Sequence, residues 1–411
     1  MNILLINHYA GSNIHGMEYR PFYLAREWVR LGHQVTIVAA SFSHLRSKAP
    51  VVAGSLAEEY IEGVHYIWLK TPPYQGNGLK RVLNMLAFIA QLFRFKSYLI
   101  DVCKPDVVIA SSTYPLDIYP AYRIAKKTGA KLIFEVHDLW PLSPVELGGM
   151  SPYHPYIVFL QIAENFAYRV ADWVVSLLPK ANMHMEAHGM APEKFVYIPN
   201  GIDVAEWQNN RLPVPDKHKE VLTKLRQTGR FIVGYTGSHG LANALYAFIE
   251  AASLLKNYPV TFVLIGQGPE KSALEYKARD FGLENTIFLP PVSKGTIPAL
   301  LDLMHVLYIG LKSEPLFRFG VSPNKLMDYM MAAKPIIHAI EAGNDLVAES
   351  GCGISVPPED PAAIAEAVLR LMQMSDAERE IMGQKGKDYV LAKHDYRVLA
   401  EEFLQIMLFV W

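Results

Sequence analysis

Several features are scarce or absent in this sequence, and each absence excludes a class of protein. Only two cysteines, Cys103 and Cys352, occur in 411 residues, so a disulfide framework is excluded and a reducing compartment such as the cytoplasm is expected. The formal net charge of −1 gives no reason to expect nucleic-acid binding. No apolar run reaches the roughly 20 residues that span a bilayer, and residues 1–10 are typical of a β-strand rather than a signal peptide.

Familiar catalytic motifs are also missing. No Asp-x-Asp sequence occurs, which argues against a metal-bridged diphosphate, and neither a Gly-x-Ser-x-Gly elbow nor a Gly-Lys-Ser/Thr phosphate loop is present. Gly266-Gln267-Gly268 lacks the third glycine of a dinucleotide fingerprint, so an oxidoreductase is a poor fit. His184 and His188 have the spacing of a metal-binding pair on a helix, but no third ligand is evident. The sequence therefore predicts no metal site.

What the sequence does contain is a repeated alternation of apolar strands and helical segments. The first series predicts strands at 2–7, 34–40, 106–110, 131–136 and 173–177, with helices at 18–31 and 116–127. The second series predicts strands at 231–235, 261–265, 286–289, 306–309 and 335–338, with helices at 242–255, 271–281, 297–303, 326–333, 362–372 and 376–391. The alternation indicates an α/β fold of two Rossmann-like, doubly wound domains that face each other across a cleft.

The two series are separated by Pro199-Asn200-Gly201-Ile202-Asp203 and by residues 213–224, which look like a hinge and a linker. We therefore expect an N-terminal domain at residues 1–198 and a C-terminal domain at 199–395. Residues 396–411 are apolar and have helical spacing.

The segment 318–337 is the most informative part of the chain. A Gly/Pro turn, the lone cation Lys325 and the carboxylate of Asp328 lie at the start of a short helix. A helix start presents free backbone N–H groups and a positive dipole end, which favour an anion. Asp328 follows Asn324 by one helical turn and could accept hydrogen bonds from sugar hydroxyls. These features predict a site for a phosphorylated sugar or a nucleotide.

Six segments, taken in order, resemble the retaining GT-B glycosyltransferases of family four. They are residues 15–18, 30–36, 135–141, 198–203, 265–270 and 322–337, and the resemblance covers nearly the whole chain. It implies a retaining, metal-independent hexosyltransferase without a cofactor. Such an enzyme moves a sugar from a nucleotide-diphosphate-sugar to a carbohydrate or lipid-linked acceptor, and the expected donor is a UDP-sugar. The N-terminal domain would take the acceptor, the C-terminal domain the donor, and the helix at 396–411 would cross back to the N-terminal domain. The donor loop resembles a subgroup that builds bacterial surface polysaccharides such as lipopolysaccharide.

Two departures from the family pattern affect the donor site. The family has two glutamates separated by seven residues, whereas this chain has Gly320 and Asp328 at those positions. Many members carry an Arg and a Lys after the first C-domain strand, whereas residues 236–243 contain neither. We expect the backbone N–H groups at 237–240 to bind the diphosphate, with Lys325 as the first candidate cation and Arg318 as the second.

These arguments give the predicted site residues. The catalytic residues are His137 and Lys325; the donor-binding residues are Gly16, Gly237, Ser238, His239, Arg318, Ser322, Asn324 and Asp328; the acceptor-binding residues are Asn13 and His15. Four of them have a structural alternative: Asp328 could cap its helix, Lys325 could be a solvated charge, His137 could be a histidine bonded to backbone, and Gly16 could be an ordinary turn glycine. Two other functions stay open, a nucleotide-sugar epimerase of the same fold and a non-catalytic sugar-nucleotide-binding scaffold.

Residues 63–100 contain no Asp or Glu, although five Lys and Arg residues lie among them. Residues 79–100 are predicted to form one helix with a narrow polar stripe that comprises Lys80, Asn84, Gln91 and Arg94. Either this helix is largely buried with one exposed edge, or it is a basic, apolar element that rests on the anionic inner face of the cytoplasmic membrane.

Overall fold

The computed structural model describes residues 1–76 and 78–408, and the chain divides into two compact units. Unit 1 comprises residues 1–200 together with the C-terminal segment that begins at Tyr396, and unit 2 comprises Gly201–Asp395. The predicted boundary after residue 198 lies two residues before this division. Residues 409–411 of the predicted C-terminal helix lie outside the described residues.

Unit 1 is built on an eight-stranded sheet. Its strands are β1 (Asn2–Ile6), β2 (Gln34–Ala40), β3 (Leu56–Ile61), β4 (Val64–Leu69), β5 (Val107–Ala110), β6 (Lys131–Val136), β7 (Trp173–Ser176) and β8 (Phe195–Tyr197). They are ordered β3-β4-β2-β1-β5-β6-β7-β8, and only β3 is antiparallel to its neighbour. After Asn2, the central strands β1 and β5 are apolar because helices cover both faces of a parallel sheet.

Seven α-helices within the described part of residues 1–200 lie between or beside these strands. They are α1 (Arg20–Arg30), α2 (Leu79–Arg94), α3 (Lys96–Cys103), α4 (Ile118–Thr128), α5 (Leu142–Glu146), α6 (Pro155–Val170) and α7 (Asn182–Ala187). The chain ends its described part in a helix at Tyr396–Leu408, which packs on α1. There the indole of Trp28 donates to the carbonyl of Ala400 at 3.0 Å, and its ring lies 5.3 Å from that of Phe403.

The single helix predicted at 79–100 is wrong. The helix ends at Arg94, and after Phe95 a second helix, α3, begins. The polar stripe is also wrong at Asn84, whose side chain is fully buried and donates to the carbonyl of Pro72 at 2.6 Å. Burial of a polar amide is tolerated here because the carbonyl satisfies its donor.

Unit 2 is built on a six-stranded, fully parallel sheet. Its strands are β9 (Phe231–Thr236), β10 (Val260–Ile265), β11 (Thr286–Leu289), β12 (Val306–Gly310), β13 (Ile336–Ala339) and β14 (Gly353–Val356), in the order β11-β10-β9-β12-β13-β14. Its helices are α8 (Val204–Asn209), α9 (Asp216–Gln227), α10 (Leu245–Leu254), α11 (Lys271–Asp280), α12 (Ile297–Leu301), α13 (Asn324–Met331), α14 (Leu346–Ser350), α15 (Pro361–Gln373) and α16 (Asp376–Lys393). The helix at Tyr396–Leu408 is therefore α17.

The linker predicted at 213–224 is wrong, because most of it belongs to α9. Leu222 of this helix is fully buried in the core of unit 2, so the segment packs as part of that unit. Among the described residues, we find no helix with both the length and the apolar character needed to cross a bilayer.

Candidate active site

One pocket of unit 2 lies at the carboxyl ends of β9 and β10. These strands are parallel neighbours, so the loops that follow them emerge at the same edge of the sheet. The pocket holds about 690 Å³ of open space, and its lining includes Gly237, Ser238, Gly266 and Gln267. A ligand in this position would meet backbone from two loops at once.

Glycines allow the two loops to approach each other closely. Gly266 has a φ of +151°, and a Cβ added there would lie 1.9 Å from the carbonyl oxygen of Gly237. Gly237 itself has a φ of +137°, and a Cβ there would lie 2.8 Å from Cε of Lys325. Side chains at either position would therefore collide with the opposite loop or displace Lys325.

Lys325 lies where the sequence predicted it, next to the turn at Gly237. Its Nζ donates to the Tyr235 hydroxyl at 2.8 Å and to Oδ1 of Asn243 at 3.4 Å. The Tyr235 hydroxyl and the Asn243 amide both donate to the carbonyl of Ser238, so the same two side chains fix the turn and the lysine. Burial lowers the pKa of Lys325 to about 7, although the nearby Asp328 carboxylate opposes that shift. The solvated surface lysine considered above is excluded.

The backbone of the turn is less available than the sequence suggested. The N–H of Gly237 donates to Ile265 and that of His239 donates to Gln267, both at 2.9 Å. Within the described part of the chain, the N–H groups of Ser238 and Gly240 have no acceptor, so these two remain for an anion.

His239 holds the turn in place rather than presenting its ring. The side chain is fully buried, and neither ring nitrogen has a hydrogen-bond partner among the described residues. Burial, together with the positive charges of Lys271 and Lys325, lowers the pKa of His239 to about 4. The ring is therefore neutral at pH 7. The predicted donor contact at His239 was through its backbone N–H, which donates to Gln267 instead.

Lys271 is a second cation that the sequence argument missed. It is the first residue of α11, and its Nζ donates to the carbonyl of Gly266 at 3.2 Å. Lys271 and Lys325 thus approach the same pair of glycine loops from α11 and α13. The family pattern places its cations directly after β9, so motif comparison alone gave no signal for Lys271.

Asp328 lines a second pocket of unit 2. Its pocket holds about 340 Å³ and is lined also by Asp203, Glu206, Asn210 and Lys294. Burial raises the pKa of Asp328 to about 7; Glu206 adds to the shift and Lys294 opposes it. The two pockets are adjacent, because Ile297 lines the first and Pro298 lines the second.

The other residues predicted from the 318–337 segment do not line either pocket. Arg318 is exposed, donates to the carbonyl of Pro315 at 2.7 Å and covers the ring of Phe319 at 4.2 Å. Asn324 is exposed as the first residue of α13, and Ser322 precedes it in a partly buried turn. The placement of Arg318 as a phosphate ligand therefore has no geometric support.

His137 follows β6 in unit 1 and belongs to a buried charge network. Its Nε2 lies 3.0 Å from the Ser111 hydroxyl and 3.4 Å from the Glu135 carboxylate, which also pairs with Arg20 at 3.0 Å. Burial alone would raise the pKa of Glu135, but Arg20 and His137 lower it to about 2. For His137, burial acts to lower the pKa, yet the Glu135 carboxylate and Glu18 raise it. The backbone-bonded histidine considered above is excluded.

The predicted residues of the first loop are engaged elsewhere. His15 is buried, with Nδ1 3.0 Å from the Lys48 carbonyl and Nε2 2.9 Å from the Glu59 carboxylate, so its ring is not free for an acceptor. Asn13 is exposed and donates to Glu62.

Gly16 is needed for packing inside this loop. It has a φ of +91°, its N–H donates to Ser12 at 2.8 Å, and a Cβ there would lie 2.6 Å from the Ser47 hydroxyl. The structure therefore explains Gly16 by close contact with Ser47, and its N–H is not available to a phosphate.

Both halves of the chain match known domain families. Residues 15–201 match the model of the glycosyl transferase 4-like domain, and residues 230–374 match the model of the glycosyl transferases group 1. The two matches together span about four fifths of the chain and follow the order expected of one two-domain enzyme.

Two curated relatives align over most of the chain. The probable glycosyltransferase WbjE of Pseudomonas aeruginosa is 26% identical in an alignment of 409 positions that covers 94% of this chain and 95% of the relative. WcaI of Escherichia coli (strain K12), assigned as a glycosyl transferase of colanic acid biosynthesis, is 26% identical and covers 84% of this chain and 86% of its own.

Solved structures show the fold. Anabaena HepE in complex with UDP superposes with a TM-score of 0.69 at 15% identity, over 99% of each chain. Sucrose-phosphate synthase from Thermosynechococcus elongatus gives a TM-score of 0.71 at 16% identity, over 98% of this chain and 97% of the other. The predicted GT-B fold with two Rossmann-like domains is confirmed.

Proposed function

The chain belongs to the glycosyltransferases that join a glycosyl transferase 4-like domain to a group 1 domain, and on that premise we propose the donor, acceptor and setting of its reaction. It transfers a sugar from a nucleotide-diphosphate-sugar, with retention of the anomeric configuration and without a metal at the donor. The acceptor is a carbohydrate or a lipid-linked sugar in bacterial surface polysaccharide biosynthesis. The assignment of WcaI to colanic acid biosynthesis supports that setting.

One observation carries the proposal for the donor: Lys325 Nζ is held by Tyr235 and Asn243 against the glycine turn at Gly237. A diphosphate in the adjacent pocket would meet the N–H of Ser238, and the Lys325 and Lys271 ammonium groups lie beside the Gly237 and Gly266 turns that line it. These groups compensate for the missing Arg and Lys after β9. Preorganised positive charge of this kind stabilises the leaving diphosphate most strongly where water is excluded.

The neighbouring pocket supplies a place for the rest of the nucleotide. Asp328 lies there beside Asn210 and Lys294, and a carboxylate can accept hydrogen bonds from ribose hydroxyls. UDP is the proposed nucleotide, since the structural neighbour HepE is a UDP complex. The assignment of His137 to the donor sugar rests on the family resemblance and stays a prediction.

The acceptor proton needs no enzymic base in this proposal. The resemblance implies that a donor phosphate oxygen accepts it on the face from which the leaving group departs, which preserves the configuration. Lys325 and Lys271 then hold the departing nucleoside diphosphate, and the protein provides orientation and charge rather than a nucleophile.

Unit 1 carries a surface suited to a lipid-linked acceptor. Along α2, the side chains of Leu79, Leu83, Leu86 and Phe93 form one exposed stripe, and 74% of the Leu79 side chain is accessible. Lys80 and Arg94 are exposed at its two ends. Met85 of the opposite face packs against α6 through Leu160, so the stripe is held on a fixed helix. We propose that α2 rests on an anionic membrane surface.

The function is tested by nucleotide release. With a UDP-sugar and membrane-extracted glycolipid acceptor, the protein should release UDP only when both are present, and Lys325→Ala should reduce turnover at least about 100-fold by losing leaving-group stabilisation. Lys334→Ala is the matched control, because Lys334 is partly buried in a separate pocket with Arg226 and His305. Turnover that survives Lys325→Ala would remove this lysine from the site.

The same assay separates the alternatives, neither of which any observation favours. An epimerase would convert the nucleotide-sugar without an acceptor, and a binding scaffold would bind UDP without acceptor-dependent release. Before the release assay, thermal-shift measurements with different nucleoside diphosphates identify the nucleotide that binds, since a ligand that binds only the folded state raises the melting temperature.

A further inference from the structure

A cluster of metal-ligating side chains lies in unit 1 on two helices that the donor and acceptor proposals do not use. Glu164 belongs to α6, His184 belongs to α7, and His188 caps the carboxyl end of α7. The ligand atoms of these three residues all lie within 4.8 Å of one another. The third ligand that the sequence did not reveal is therefore present, 20 residues before His184 along the chain.

The separations suit a tetrahedral metal ion. His184 Nε2 lies 3.2 Å and 3.3 Å from the two Glu164 oxygens. Two ligand atoms that are each about 2.05 Å from Zn²⁺ in a tetrahedral site lie about 3.3 Å apart. The ligand nitrogen of His188 already lies within 4.8 Å of the other two ligand atoms, so a small adjustment of this partly buried side chain brings it to the same distance.

The hydrogen bonds around the cluster prepare its ligands. His188 Nδ1 lies 2.9 Å from the carbonyl of His184, which as a donor leaves Nε2 with a free lone pair. The Tyr168 hydroxyl donates to one Glu164 oxygen at 2.7 Å, and the Gln161 amide donates to the other at 2.6 Å. Such outer contacts orient metal ligands and are a regular part of metal sites.

Charge balance also favours a cation here. Glu164 is only 1% exposed, and within the described part of the chain no Lys or Arg pairs with it. A buried carboxylate is costly without a positive partner. A divalent ion bound between this carboxylate and the two imidazoles would supply that charge, and His184 already lies 3.2 Å from Glu164.

We propose that Glu164, His184 and His188 bind one divalent transition-metal ion, Zn²⁺ being the best match to two imidazoles and a carboxylate, and that the ion ties α6 to α7. Its fourth position is left for water. The site is structural and separate from the donor pocket, which lies in unit 2.

The test is titration of tag-free, chelator-treated full-length protein with Zn²⁺ in competition with a chromophoric chelator, with Co²⁺ absorption as a report on tetrahedral geometry. We expect one Zn²⁺ per chain and a higher melting temperature with the metal. His188→Ala and Glu164→Gln should each weaken binding more than about 100-fold, beyond the loss that outer-shell partners cause, and Tyr168→Phe should weaken it about 10-fold.

His65→Gln is the matched control, because His65 pairs with Glu58 at 2.7 Å without belonging to such a cluster. It should bind Zn²⁺ as the parent does. A parent protein that binds no stoichiometric Zn²⁺, or binding that is unchanged in both His188→Ala and Glu164→Gln, overturns the proposal and leaves Glu164 and His184 as a hydrogen-bonded pair only. Both of those variants alter one side chain without enlarging it, and their far-UV circular dichroism verifies the fold.

Discussion

The protonation state of Lys325 should control the affinity for UDP between pH 7 and pH 9. Burial lowers the pKa of this lysine to about 7 from an ordinary value of 10.5. A bound diphosphate favours the charged ammonium and so returns the pKa toward its ordinary value. Because the bound state then holds a proton that the free state has lost, affinity must fall as pH rises through 7.

The size of the effect follows from the shift. With a pKa of about 7, half of the free protein carries the ammonium at pH 7 and about 1% carries it at pH 9, so the Kd for UDP should rise about 50-fold over this range, or about 2.3 kcal/mol. UDP itself does not change charge in this range, since a terminal phosphate titrates near pH 6. At pH 8 about 0.9 proton should be taken up for each UDP bound.

Isothermal titration calorimetry in buffers of different ionisation enthalpy measures both quantities. Lys325→Gln keeps a hydrogen-bonding side chain but cannot titrate, so its Kd should be about 10- to 100-fold weaker at pH 7 and nearly independent of pH. Parent and variant should converge near pH 9. An affinity of the parent that is constant from pH 7 to pH 9, or a variant with the same slope as the parent, would refute the reasoning.

Four further predictions concern single side chains. Asp328→Asn should weaken UDP binding about tenfold through a lost ribose contact. The carboxyl of Asp328 keeps its proton up to about pH 7 in the folded protein but loses it near pH 3.8 in the unfolded chain, so the stability of the parent falls as pH rises through that window. Urea titrations should therefore show that the variant, relative to the parent, is more stable at pH 8 than at pH 5. Gly237→Ala should displace Lys325 and abolish the pH dependence of UDP affinity, whereas Gly229→Ala, in an open turn with a φ of +71°, should leave it intact. Glu135→Gln should lower the free energy of unfolding in urea by about 3–5 kcal/mol, because Arg20 would stay buried without its carboxylate; a loss under 1 kcal/mol would contradict the network. Leu83→Asp should reduce sedimentation with anionic vesicles at low salt more than Leu254→Asp, a comparably exposed leucine of unit 2, and equal binding of both variants would exclude the α2 surface.

The alternation of apolar strands and helices was enough to predict most of both sheets. β2, β6 and β11 begin and end at the predicted residues, because parallel strands covered on both faces are continuous apolar runs between polar turns. The approach of Lys325 to Gly237 was also predictable, since both lie where strand and helix ends meet at one sheet edge.

Elements without these signals were missed. The β3–β4 hairpin turns at Glu62 and Gly63, where Glu62 has a φ of 48°. Because the turn is Glu-Gly and lacks the usual Asn-Gly signature, there was no signal in the sequence for this hairpin. The helix α6 is apolar on an exposed side as well as a buried one, so it shows no clean helical period.

The errors at the site have a common cause, which is that pairing over long sequence distances cannot be read from local patterns. His15 looked available for an acceptor, yet its ring is held by Lys48 and by Glu59, 33 and 44 residues away. Glu164 joins His184 only because α6 and α7 come together in the fold. Lys271 reaches the glycine loops from a helix that the family motif does not include.

The account's central claim is that a nucleoside diphosphate binds in unit 2 between the glycine loops and α13. Hydrogen–deuterium exchange with and without UDP tests it most directly, because backbone amides at the bound phosphates should be protected. We predict that UDP slows exchange at residues 236–240 and 321–328, and that Lys325→Gln weakens this protection. Protection confined to unit 1, or an exchange pattern that UDP leaves unchanged at saturating concentration, would contradict the claim.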